Sequence, residues 1–177
     1  MNRAIEKEPR SAGASSLLGR AQRLGLSLPI DLERLAVMRG CDYYERDLGS
    51  DLPVLGEVPL SNAELAIALL APALHPSARE IRLAAAVLGA PDVSATEVSA
   101  LATQEKCAEI VRYISLCGRR YEPENPFWQR LLDIVPDVRV NADRLPHPTR
   151  FIEMTGIDRG KVGTFTRWIR PRQPIAT

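Results

Sequence analysis

The spacing of apolar residues predicts α-helices along most of the chain. Residues 62–71 are apolar nearly all round, which is typical of a helix in the middle of a core. Residues 78–88 and 104–117 repeat apolar positions every three or four residues, as one buried helix face requires. Residues 126–135 follow the same pattern and begin with proline, whose missing N–H costs nothing at the first helical position. The pattern indicates a mainly α fold.

Cap signals support these helices. In a capping box, a serine and the glutamate three positions later satisfy amides that the first helical turn leaves unpaired. Three pairs have this spacing: Ser61 with Glu64, Ser77 with Glu80, and Ser94 with Glu97. The third pair predicts a short helix over 95–102, and Gly89 and Gly118 are predicted helix ends.

The two ends of the chain differ in composition from the middle. Residues 1–25 begin with small and charged residues without periodicity, so we expect a disordered or loosely ordered arm there. A short helix is predicted over 31–39. We expect one compact helical domain of five to seven helices over 26–170, followed by a proline-rich tail over 171–177.

Composition narrows the class of protein. With 177 residues, 45% apolar and 25% charged, the chain is neither low-complexity nor wholly disordered. No apolar run is long enough to span a bilayer, and the N-terminus is unlike a secretory signal, so no membrane partner is expected. Three cysteines without metal-ligand spacing indicate reduced thiols. We therefore expect a cytoplasmic protein of bacterial type.

Charge is unevenly distributed along the chain. Residues 145–177 carry six basic and two acidic side chains, whereas residues 21–144 carry thirteen basic and eighteen acidic ones. A basic end on an acidic body favours contact with a polyanion, although a solvated basic face without a partner is the more common case.

Residues 149–169 resemble a helix-turn-helix, the motif that places a second helix in the DNA major groove. Gly156 would form the turn, Ile157 would fill the corner and Asp158 would cap the second helix. Six side chains would then face DNA, mostly its phosphates: Arg159, Lys161, Thr164, Arg167, Arg170 and Arg172.

The same segment also fits a short β arm. Gly160 and Gly163 would each cost a helix about 1 kcal/mol relative to alanine. Residues 162–169 are rich in β-branched and aromatic side chains, which favour a strand. Helix-turn-helix and β arm therefore both stand as predictions, and they imply different surfaces.

A second candidate surface lies over residues 119–128, where arginines, glutamates and aromatic side chains are dense. Arg120, Tyr121 and Trp128 are of the types that dominate protein-binding hot spots, so they predict contact with a protein partner or a second copy. Glu122 and Glu124 are of the type that serves as an acid/base pair, but pairing with neighbouring arginines is the favoured interpretation.

No pattern indicates catalysis or a cofactor. Both histidines, His75 and His147, precede proline in predicted loops, where local hydrogen bonding is their usual role. Cys107 and Cys117 fall on an apolar helix face and are predicted core residues. Nothing resembles a phosphate-binding loop or a nucleophile elbow, so we expect no cofactor and no enzyme.

Two functions remain as hypotheses. The first is a DNA-binding or transcription-regulatory protein that contacts double-stranded DNA through its basic C-terminal segment. The second is a non-catalytic helical module for protein–protein interaction, recognisable by an exposed apolar patch near residues 119–128. An enzyme is third, and it would need a cleft that gathers four side chains: His147, Glu122, Glu124 and Arg150.

Overall fold

The computed structural model describes residues 16–41, 55–155 and 165–172. Within these ranges the chain forms seven α-helices, three short 3-10 turns and two strands, so the mainly α prediction is confirmed. The helices are α1 (Leu17–Arg23), α2 (Ile30–Met38), α3 (Asn62–Leu69), α4 (Ala78–Leu88), α5 (Ala95–Gln104), α6 (Ala108–Tyr121) and α7 (Pro126–Ile134). The 3-10 turns are Pro72–Leu74, Ala142–Arg144 and Pro148–Phe151, and the strands are β1 (Ile152–Thr155) and β2 (Phe165–Trp168).

Helix α3 lies at the centre of the core. Its Leu65, Ile67 and Leu69 have no exposed surface, and the helix packs against α1, α2, α4 and α5. Ser61 and Ser77 begin α3 and α4 with the predicted capping boxes, in which serine and glutamate exchange bonds with the backbone. The apolar pattern over 62–71 thus identified the centre of the fold correctly.

The third predicted capping box is absent from helix α5. Ser94 is the N-cap residue but makes no side-chain capping bond. The Glu97 carboxylate instead accepts a 2.9 Å bond from the Ser61 hydroxyl, which joins α5 to the start of α3. The Glu97 carboxylate therefore makes a tertiary hydrogen bond in place of the local capping-box bond.

Helix α6 is displaced from its predicted bounds at both ends. It begins at Ala108 because Lys106 adopts a left-handed backbone that closes α5. It continues through Gly118 to Tyr121, where the sequence predicted an end at the glycine. The reason is packing: a Cβ on Gly118 would lie 2.2 Å from Cδ2 of Trp128. Gly118 makes room for the indole and does not stop the helix.

The N-terminal arm predicted over 1–25 is corrected where the structure describes it. Leu17–Arg23 form α1, with Leu17 and Ala21 buried in the same core as α3. Ser16 caps this helix, and the Leu17 amide donates a 2.9 Å bond to the Glu105 carboxylate. Residues 1–15 lie outside the described residues. Contacts with distant elements, rather than local periodicity, order this segment.

The C-terminal segment forms a β arm and no helix-turn-helix within the described residues. Strands β1 and β2 pair antiparallel, with Ile152 opposite Trp168 and Thr155 opposite Phe165. Because the two helices of the motif would need 152–155 and 165–168, the helix-turn-helix prediction is wrong and the β-arm alternative is confirmed. Arg159, Lys161 and Thr164 lie outside the described residues.

No helix in the described part of the chain has the length and apolar character needed to cross a membrane.

Candidate functional site

A row of packed aromatic rings attaches the β arm to the helices. Trp168 is 1% exposed and its ring centroid lies 4.7 Å from that of Trp128 and 5.4 Å from that of Phe151. Its indole N–H donates a 2.9 Å bond to the carbonyl of Ala85 in α4. Because each ring is buried and the indole is paired, the end of β2 is part of the core.

Immediately after β2, Arg170 forms a bidentate ion pair with Glu122 at the end of α6. The Arg170 Nε also donates a 3.0 Å bond to the carbonyl of Gly89. The same carboxylate accepts a 2.9 Å bond from the Trp128 indole and a 3.2 Å bond from the Asn125 amide. One carboxylate thus joins α6, α7 and the C-terminal chain.

Glu122 is held in its ionised form. Burial raises the pKa of this carboxyl, but the hydrogen bonds from Arg170, Trp128 and Asn125 outweigh burial and lower its pKa overall. Because both oxygens are already engaged, the geometry disfavours an acid/base role for Glu122 and favours the structural interpretation of residues 119–128.

The structure places the described members of the predicted DNA-binding set differently from one another. Arg170 is committed to Glu122, and Arg167 pairs with Glu153 on the neighbouring strand while its side chain stays 61% exposed. Arg172 is exposed, and its backbone amide donates a 2.9 Å bond to the carbonyl of Gly40. Arg170 therefore serves the fold rather than a phosphate.

The predicted protein-binding residues also separate. Trp128 has no exposed surface, so its predicted role at a binding surface is wrong. Arg120 is exposed and lies over the half-buried Tyr121 ring, 5.7 Å from its centroid. The neighbouring Phe127 is half-buried and packs against the core. The two aromatic residues at the start of α7 thus differ in exposure, and of the two only Phe127 reaches the surface.

The exposed part of Phe127 lines a groove that we call the α5–α7 groove. Its larger part has a volume of about 470 Å³. This part is lined by Leu88, Gly89, Ala90, Pro91, Val93, Asn125, Phe127, Arg170 and Pro171. A second hollow of about 210 Å³ shares three of these residues and adds Ser94, Ala95, Thr96, Pro126 and Arg130. The two hollows therefore adjoin.

Two local features shape the α5–α7 groove. A Cβ on Gly89 would lie 3.0 Å from both Trp168 Cδ1 and Arg170 Cγ, so the glycine lets the C-terminal chain approach α4 closely. Phe127 packs edge-on against Trp128, with centroids 4.9 Å apart and planes at 74°. The buried aromatic cluster therefore fixes the ring from behind and leaves its other side toward the groove.

One end of the α5–α7 groove is more positive than the other. Arg130 is exposed there, beside the first residues of α5 and α7. Ser94 makes no side-chain bond to the amides of the first α5 turn, whereas Asn125 caps α7. An N-terminal helix turn carries partial positive charge, so this end favours an acidic group. At the other end, Glu122 neutralises Arg170.

The remaining candidate groups have local roles. His147 caps the 3-10 turn Pro148–Phe151, and its Nδ1 lies 2.8 Å from the Thr149 hydroxyl, as predicted for a loop histidine. Cys107 and Cys117 are buried, and burial raises the pKa of these thiols to about 12 and about 11. Among the described residues, no cluster of three or more histidine, cysteine, aspartate or glutamate side chains could hold a metal ion.

Sequence reasoning missed the groove because its lining comes from three separate segments of the chain. Two of these segments carry a local signal of a surface gap: the turns at 89–91 and 125–126 each combine proline with a helix end or start. Such turns leave gaps between helix ends, but only the tertiary fold brings these two turns together. No family model, no curated protein and no solved structure matches this chain.

Proposed function

We propose that this protein is a non-catalytic interaction module that binds an extended segment of a partner protein in the α5–α7 groove. The observation that carries the proposal is the half-buried Phe127 ring, backed by the buried aromatic cluster and set among proline and aliphatic side chains. Aromatic anchors in partly desolvated pockets dominate protein-binding energy. The groove also includes Asn125 and Phe127, which belong to the region with hot-spot composition.

The chemistry of the groove indicates its occupant. Apolar walls around Phe127 and Val93 suit one bulky apolar side chain, and Arg130 with the α5 N-terminus suits an acidic residue. An extended chain advances about 3.3 Å per residue, so a few residues span the two hollows. We therefore expect a segment with an apolar residue followed or preceded closely by aspartate or glutamate.

The backing of the groove favours binding without rearrangement. Arg170 is fixed by Glu122 and Gly89, and Trp128 is fixed by the same carboxylate. A binding surface that is already ordered loses less conformational entropy when a partner docks. The ion pair at Arg170 thus contributes to recognition by holding the groove in shape.

The test is selection of linear peptides from a random display library against the wild-type protein. Enriched peptides, synthesised with a fluorophore, are then titrated by anisotropy into wild-type, Phe127→Ala, Arg130→Glu and Arg139→Glu. We expect apolar-acidic sequences whose binding weakens at least about tenfold in Phe127→Ala, equivalent to about 1.4 kcal/mol. Arg130→Glu should weaken it too.

Arg139→Glu is the matched control, because Arg139 is also exposed but does not line the groove. Thermal unfolding confirms that every variant is folded before titration. Failure to enrich any peptide, or enriched peptides that bind Phe127→Ala as tightly as wild-type, would contradict the proposal.

A second candidate function is DNA binding by the β arm. It is favoured by the exposure of Thr166 and Arg167 on β2 and of Arg172, together with the excess of basic residues after 145. Short β ribbons can enter DNA grooves, and arginine contacts to phosphate supply affinity that falls with salt. Arg170 is left out of this surface.

The DNA hypothesis is tested by anisotropy of a labelled random duplex across a salt series. We expect binding that falls linearly with log salt, with a shallower slope in the double variant Arg167→Gln, Arg172→Gln. Phe127→Ala should leave DNA binding unchanged, so the two candidate functions separate. No binding at low salt would exclude this function.

A further inference from the structure

A second cavity lies on other elements of the molecule, and three basic side chains line it. It has a volume of about 480 Å³, between the 3-10 turns Pro72–Leu74 and Ala142–Arg144 and the start of α6. The basic side chains are His75, Lys106 and Arg144, and all three are exposed to solvent. A cavity of this size accommodates a small organic molecule.

Two of the basic residues adopt a backbone conformation that favours glycine. His75 has φ of 50° and Lys106 has φ of 60°, and they are the non-glycine residues with positive φ in the described part of the chain. Lys106 closes α5 in a Schellman arrangement, where its amide donates to Thr103 and the next amide donates to Ala102. Glycine is usual at this position.

Retaining a long basic side chain at a position that suits glycine costs stability. Strained backbone residues of this kind cluster at functional sites, where the side chain is needed. Here both strained residues line the same cavity although 31 positions of chain separate them. Because both residues line one cavity, we attribute their strained backbones to a role of the cavity and not to the requirements of each turn.

Lys106 and Arg144, the two charged basic side chains of this set, form no ion pair with any described residue. Within residues 16–41, 55–155 and 165–172, the side chains of His75, Lys106 and Arg144 make no hydrogen bond or ion pair. The carboxylate in the lining, Glu109, accepts a 2.8 Å bond from the backbone amide of Asn141. The cavity therefore carries more positive than negative charge, and it opens at the first turn of α6, which adds partial positive charge.

Five other lining residues are apolar: Pro72, Pro76, Ile81, Ile110 and Leu145. A ligand that satisfies both the basic and the apolar lining has an anionic group and an apolar body. A phosphate monoester accepts bonds from several cations at once, as lysine and arginine provide in phosphate sites.

We propose that this cavity binds a small phosphate monoester with an apolar body, with Lys106 and Arg144 on the phosphate. The site is independent of the α5–α7 groove, because the two share no lining residue. His75, which also lines the cavity, adds a third contact.

The test is isothermal titration of the full-length protein with phenyl phosphate and, separately, with inorganic phosphate. We expect saturable binding of phenyl phosphate, weakened at least about tenfold in Lys106→Gly and in Arg144→Gln, which is about 1.4 kcal/mol. Arg139→Gln, a matched exposed arginine outside the cavity, should bind as wild-type does. Inorganic phosphate should bind more weakly than phenyl phosphate.

Lys106→Gly separates function from folding. Glycine relieves the strain at φ of 60°, so this variant should unfold at a higher temperature than wild-type while losing the ligand. Phenyl phosphate affinity that is unchanged in Lys106→Gly and Arg144→Gln, or absent in the wild-type, overturns the proposal. Equal affinity for inorganic phosphate and phenyl phosphate would contradict the claim that the ligand has an apolar body.

Discussion

The α3–α4 pair and the C-terminal β arm are ordered in opposite ways. Each helix of the pair begins with its own capping box, and each is apolar over most of its surface. The arm depends on residues far away in the chain: Trp168 bonds to Ala85, 83 positions earlier, and Arg170 bonds to Gly89, 81 positions earlier.

The difference shows where this fold is vulnerable. A two-stranded ribbon is marginal in water by itself, so β1 and β2 require attachment to the helices. A helix pair with local caps and a shared apolar face needs less help from distant contacts. Changes at the attachment should therefore affect the arm and the α5–α7 groove together, whereas changes in α3 or α4 should affect global stability.

The largest expected effect is that of Trp168→Ala. Removing a fully buried tryptophan costs about 3–5 kcal/mol of unfolding free energy, measured by urea denaturation. Leu69→Ala in α3 is the matched control, with an expected loss of about 2–5 kcal/mol.

Limited proteolysis distinguishes the two variants. Trp168→Ala should expose the chain after residue 145 to cleavage under conditions in which Leu69→Ala is cleaved no faster there than wild-type. Equal protection of the arm in both variants would show that Trp168 does not attach it.

The next largest effect is expected for Glu122→Gln. It should lower the unfolding free energy by about 1.5–3 kcal/mol, because the amide cannot replace the charge-assisted bonds to Arg170. Since folding lowers the pKa of Glu122, its stabilisation is present above the ordinary glutamate pKa of about 4.3 and is lost as pH falls through the lowered value. Urea unfolding at several pH values should show wild-type losing more stability on acidification than Glu122→Gln. Parallel pH profiles would contradict this.

Gly118→Ala tests the packing of α6 on α7. The added methyl would lie 2.2 Å from the Trp128 ring, so we expect a loss of about 1–3 kcal/mol despite alanine's higher helix propensity. Gly56→Ala is the control, because nothing lies within 4 Å of its added Cβ. Thermal melts compare the two variants, and a stabilised Gly118→Ala would mean that the indole shifts freely.

The smallest expected effect concerns the caps of the helices. Ser77→Ala removes a complete capping box and should cost about 1 kcal/mol, whereas Ser94→Ala removes a serine that makes no side-chain cap bond and should cost much less. Urea midpoints measure both. A cost for Ser94→Ala as large as that for Ser77→Ala would indicate that Ser94 caps α5 in solution.

Predictions from the sequence succeeded where one segment contains its own signal. The predicted first and last residues of α4 match the observed ones, because Ser77, the apolar repeat and Gly89 all lie within thirteen positions. The burial of Cys117 followed from helical spacing in the same way, whereas Cys107 is buried although it precedes α6 as its N-cap residue. Predictions failed for α1 and for the end of α6, where a distant partner decides the outcome.

The candidate sites show the same limit more strongly. The composition of 119–128 indicated an interaction surface, but it could not tell that Trp128 is fully buried and Phe127 only half-buried. Nothing local connects Lys106 with His75 or Arg144 before the chain folds. Each site is lined by segments that meet only in three dimensions.

The amino-acid sequence by itself determined a mainly helical chain, the centre of its core and the basic character of its C-terminus. These properties depend on periodicity, caps and charge, which act over one or two helical turns. The tertiary structure alone decided between helix-turn-helix and β arm, because the choice depends on Trp168 and Arg170 reaching Ala85 and Glu122. It also decided which side chains line each cavity, since burial is a property of the packed fold and not of the segment.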